Sequence, residues 1–113
     1  MASACPAQST ASQPLVVTDS KAVRTAEALF QDVQALAGLV TPCVESGKGT
    51  PTECACRFQP QLSRIHRSAR SVQAEYPQWR DKVVNWTDPA TKLSRALSLE
   101  AVVRQSSLPC GAK

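Results

Sequence analysis

Apolar positions along the chain mark two long helices. Ala22, Ala26, Leu29, Val33, Leu36 and Val40 recur at alternating spacings of four and three, with Phe30 and Ala37 widening the stripe, the period of an amphipathic α-helix. Asp19 or Thr18 can cap its start, Gly38 weakens its last turn, and Thr41-Pro42 is expected to end it. Phe58, Leu62, Ile65, Ala69, Val72 and Tyr76 keep the same alternation. This second helix should start near Gln59, with Pro60 tolerated in its first turn. Between the two, residues 41–56 contain Pro42, Gly47, Gly49 and Pro51 and read as a loop.

Beyond Tyr76 the pattern is less regular. Pro77 interrupts the second helix and can open a short one carrying Trp79, Val83 and Trp86 on one face. Asp88-Pro89 resembles a cap followed by an allowed first-turn proline, which suggests a further helix. Leu93, Ala96 and Leu97 share one face while Leu99, Val102 and Val103 share another. A break near Ser98 follows, with Ser98 capping a final helix of about eight residues. No repeat and no sustained strand-like alternation stands outside these segments. The expected fold class is therefore all-α: a small bundle of three to five helices over residues 18–113, preceded by a flexible tether over residues 1–17.

Composition adds one requirement. A chain of 113 residues allows one domain, and 42% apolar residues suit a globular one, but aromatics are only 4%. A core of Leu, Val and Ala gains little per residue, so a domain this small calls for a covalent supplement. No run approaches the roughly 20 apolar residues that span a bilayer, so a soluble chain is expected.

Five cysteines can supply the supplement. None forms C-x-x-C, which argues against a thioredoxin-type redox pair and a zinc knuckle. Cys43, Cys54, Cys56 and Cys110 allow three pairings, and Cys54 with Cys56 is disfavoured by its tight ring. Either Cys43–Cys54 with Cys56–Cys110 or Cys43–Cys56 with Cys54–Cys110 remains. A bridge over about 12 residues contributes about 3 kcal/mol in the loop-entropy model, and one over about 57 residues about 4 kcal/mol. Disulfides in turn imply an oxidising compartment.

Cys5 is the odd cysteine, a free thiol or a lipidation site. It follows the small residues Ala2-Ser3-Ala4 and precedes Pro6 to Pro14, a stretch without charge or bulky apolar groups. This arrangement resembles the start of a mature bacterial lipoprotein, whose first Cys carries the lipid and is followed by a polar linker. The resemblance covers a dozen residues. It implies a bacterial protein that is periplasmic or secreted, or lipid-anchored.

Candidate chemistry is sparse. His66 is the one histidine, at the margin of the second apolar stripe, and the nine carboxylates form no close pair of the glycosidase or protease kind. Gly47-Lys48-Gly49-Thr50 lacks the phosphate-loop spacing, because glycine follows the lysine. Cys43, Cys54, Cys56 with His66 or Cys110 could be assembled into a structural metal module, yet the spacing fits no compact zinc site. No catalytic residue, no metal and no cofactor is assigned, and an enzyme is not expected.

Charge is concentrated. Residues 1–56 carry net −2 and residues 57–104 net +5. Arg64, Arg67 and Arg70 follow one another at spacings of three, on the side of the second helix away from or flanking the apolar stripe. They read either as a solvated face or as a patch for an acidic partner, and Trp79 and Trp86 read either as core bulk or as partner anchors. The functional expectation is a non-enzymatic exported protein that binds another protein, as an inhibitor, a toxin-neutralising protein or a secretion escort. Nucleic acid or an anionic membrane bound through the basic helix face is the alternative, and the Cys-based metal module another.

Overall fold

The computed structural model describes residues 13–108 and Cys110. It is mostly helical with one small sheet, rather than all-α. In chain order the elements are β1 (Gln13–Val16), α1 (Ser20–Glu45), α2 (Pro51–Cys56), α3 (Gln59–Glu75), a single 3-10 turn (Pro77–Trp79), β2 (Lys82–Thr87), β3 (Ser94–Leu97) and α4 (Leu99–Ser106).

The two long helices form where the stripes place them. Asp19 caps α1 by accepting from the Ala22 N–H at 3.0 Å, and Ala22, Val23, Ala26 and Leu29 are buried. Contrary to expectation, α1 does not stop at Thr41-Pro42 but runs one turn further. Proline removes one N–H and crowds the carbonyl four residues back, here that of Gly38, where backbone latitude is greatest. The extra turn is held from beyond: the Ser46 N–H donates to the Pro42 carbonyl, and Cys43 is bridged to Cys54.

The expected loop over residues 41–56 contains α2. Thr50 and Glu53 form a reciprocal capping box, with Pro51 in the first turn. This helix presents Cys54 to Cys43 on one side and Cys56 to Cys110 on the other, which selects one of the two open pairings. All four sulfurs are thereby consumed, so these cysteines are not metal ligands. Among the described residues no cluster of His, Cys, Asp and Glu could hold a metal ion.

The sheet is the main departure. Residues 82–87, expected on a helix with Trp79, are the central strand, and Asp88-Pro89 opens a turn rather than a helix. β1 pairs parallel to β2, Leu15 opposite Val84, and β3 pairs antiparallel, Val84 opposite Leu97 and Trp86 opposite Arg95. Leu15, Val84, Trp86 and Leu97 thus share one sheet face, and that face joins the core with Ala26, Leu29, Ile65, Ala69, Leu99 and Val102. Residues 13–17 are accordingly not tether: four form a strand and Val17 is buried. The expected tether over residues 1–12, Cys5 included, lies outside the described residues. The break at Ser98 is as expected, its hydroxyl accepting from the Ala101 N–H at the start of α4.

Candidate functional site

Three features could carry function. The first is the outer side of α3. Leu62, Ile65, Ala69 and Val72 are buried, while Arg64, Arg67 and Arg70 are all exposed. At 100° per residue Arg67 lies diametrically opposite the mean direction of the buried four, with Arg64 and Arg70 flanking it. Every position three or four residues from these arginines is uncharged, His66 or another of the three. No acidic side chain forms an ion pair with any of them among the described residues. Like charges at such spacings cost a helix about 0.2–0.5 kcal/mol per pair, a repulsion that no acidic side chain among the described residues offsets.

The second is an apolar cleft of about 320 Å³ between α1, α2, α3 and α4. Val40, Ala55, Leu62, Ile65, Val102 and Leu108 contribute to its lining, and Thr52, Gln105 and Ser106 are its polar members. Since Leu62 and Ile65 belong to the buried side of α3, the cleft and the arginines face opposite ways. One small ligand cannot use both.

His66 meets α4 beside the cleft, with Nδ1 at 3.0 Å from the Ser106 Oγ and 3.3 Å from the Ser107 Oγ. A serine beside a histidine suggests a nucleophile and its base, but each hydroxyl has a competing backbone acceptor. The Ser106 hydroxyl donates to the Val102 carbonyl at 2.7 Å, and that of Ser107 to the Val103 carbonyl. With the hydroxyls donating to these carbonyls, each oxygen can accept from His66 in the tautomer that carries its proton on Nδ1. The contact ties α3 to the end of α4.

The third is a polar cluster beneath α1. The Trp86 Nε1–H donates to Glu27 Oε1 at 2.8 Å, and Arg95 sits 3.6 Å from Glu27 and 3.5 Å from Asp88. The Arg95 guanidinium lies 4.8 Å above the Phe30 ring centroid, and that ring meets Trp86 edge-on. Asp88 also accepts from the Thr91 hydroxyl at 2.7 Å and the Ala90 N–H at 3.2 Å. The Thr91 hydroxyl above all, then the Ala90 N–H and Arg95, hold its carboxyl below the usual range, against the opposing effect of burial. The cluster joins the β2–β3 hairpin to α1.

Trp79 and Trp86 read from the sequence either as core bulk or as partner anchors, and burial selects the core. They are 2% and 3% exposed, so neither is a surface anchor. Trp79 stacks on Tyr76 at 4.2 Å and Trp86 fills the space between sheet and α1. The arginines are brought together on the surface. The cleft and the Glu27–Arg95–Asp88 cluster were missed, although Thr50-x-x-Glu53 is a capping signature from which α2, one cleft wall, could have been found.

Comparison with known protein families, characterised proteins and solved structures gives no match. Among the described residues no helix is long and apolar enough to cross a membrane. The two bridges suit an oxidising environment.

Proposed function

We propose that this chain is a non-catalytic, exported binding protein whose working surface is the Arg64, Arg67 and Arg70 face of α3, and whose partner is an acidic segment of another protein. The observation that carries the reading is the set of three exposed guanidinium groups with no acidic neighbour on their own helix. An acidic partner would relieve their mutual repulsion and pair with them in charge-assisted hydrogen bonds. With both tryptophans buried, the exposed arginines supply the anchoring side chains that this reading requires. Export to an oxidising compartment such as the bacterial periplasm agrees with the two bridges. Inhibition, toxin neutralisation and escort are all compatible with such a surface.

The test is capture from periplasmic extract or culture fluid, with the captured protein identified and its contact segment mapped by crosslinking. The native chain should crosslink to an acidic segment through α3. The R64E/R67E/R70E variant should keep its helical circular dichroism and lose that crosslink. A triple variant that captures the same protein equally well refutes the reading, as does a contact segment without acidic residues.

A further inference from the structure

The two bridges differ in what surrounds them. Cys54 is fully buried and Cys43 is 9% exposed, so the Cys43–Cys54 sulfurs lie inside the domain. Cys56 and Cys110 are both half-buried. Thiol–disulfide exchange requires a thiolate to approach a sulfur directly, so access decides which bridge reacts first. The consequences of opening also differ. Cys43–Cys54 joins residues 11 apart, the end of α1 to the helix that follows it, whereas Cys56–Cys110 joins residues 54 apart and holds the chain beyond α4 against α2. Between the end of α4 at Ser106 and Cys110, Leu108 lies in the wall of the apolar cleft, beside Val40, Ala55, Leu62 and Val102. The Cys110 N–H donates to the Leu108 carbonyl at 2.8 Å, so the position of the bridged cysteine is coupled directly to that of the leucine.

We infer that Cys56–Cys110 is a thiol-exchange site and the clasp of the apolar cleft, opened by a dithiol reductant while Cys43–Cys54 stays closed. One reductant thiolate attacks a sulfur of the bridge; the Cys56–Cys110 bond breaks, a mixed disulfide forms, and the other cysteine leaves as a thiolate that takes up a proton. The second reductant thiol then attacks the mixed disulfide and releases the remaining cysteine. The chain gains two electrons and the reductant departs as a disulfide. With the clasp open, Leu108 loses its tether through Cys110 to α2, and its departure uncovers the apolar walls of the cleft. This inference does not depend on the arginine face and would survive its failure.

The experiment uses the full chain. Any free thiol is first blocked with N-ethylmaleimide, limiting dithiothreitol is added, and newly released thiols are trapped with iodoacetamide and mapped by mass spectrometry. Cys56 and Cys110 should be trapped at least about tenfold faster than Cys43 and Cys54, as expected where access controls exchange. The species carrying one open bridge should keep its helical circular dichroism and bind anilinonaphthalene sulfonate several-fold more brightly. The C56S/C110S variant should show that brightness without reductant; if it does not fold, reduction of the folded native chain still decides. Trapping of all four cysteines at one rate, trapping of Cys43 and Cys54 first, or unchanged dye binding after the clasp opens would each overturn the inference.

Discussion

Single residues explain how so small an aromatic content suffices. Phe30, Trp86 and Arg95 form one packed group, and the charge on Arg95 is answered by Glu27 and Asp88 on its two sides. Replacing Arg95 with Met keeps the stem but leaves Glu27 and Asp88 without their cation. Its cost should be about 1–3 kcal/mol in urea unfolding at neutral pH, the range for a polar group deprived of its partner. Asp88 adds a pH dependence whose sign is fixed. Its carboxyl is held below the ordinary value of 3.8, so its contribution is present above that value and disappears as pH falls through the lower, folded value. Unfolding midpoints of Asp88→Asn and the native chain should therefore differ at neutral pH and converge in strong acid. A constant gap across the whole range would mean that the carboxylate charge is irrelevant.

At the scale of elements, β1 makes the clearest prediction. Truncation to Gln13 and truncation to Thr18 should differ sharply. The second removes the strand paired with β2 and the buried Val17. That difference should be about 2–4 kcal/mol, from lost apolar burial and ladder bonds, and thermal unfolding of the two truncations measures it. The same strand shows why part of the fold was hidden in the sequence. Asp19 and the stripes of α1 and α3 are local signals, as is Ser98 before α4, and each is read from neighbours within a turn or two. Pairing of Leu15 with Val84 joins residues far apart in the chain, and no local pattern announces it. Val83 and Trp86 also fit a helical spacing, so a strand with one buried and one open face passed for a short helix. At Pro42 the local rule was sound, but a disulfide and a cap beyond the proline overrode it.

At the scale of the molecule, the fold separates its surfaces. Sheet, tryptophans and cleft walls lie on the inward side of α3, and the arginines lie on the outward side. Reversal of the arginine charges should consequently leave folding intact while changing binding. The basic face was legible in the sequence because it needs only helical spacing and a list of charges; the cleft was not, because four helices contribute to it. On the proposed reading the basic face serves an acidic protein segment and not a phosphate backbone. That reading is tested most directly by dissociation constants for a helix-length Glu/Ala peptide and for a short DNA duplex, measured from about 50 to about 200 mM salt, where phosphate-backbone binding falls most steeply. The native chain should prefer the peptide at the higher salt, and R64E/R67E/R70E should weaken that binding at least about tenfold, some 1.4 kcal/mol. Tighter binding of the duplex at every salt concentration, or a triple variant that binds the peptide as well as the native chain does, would contradict it.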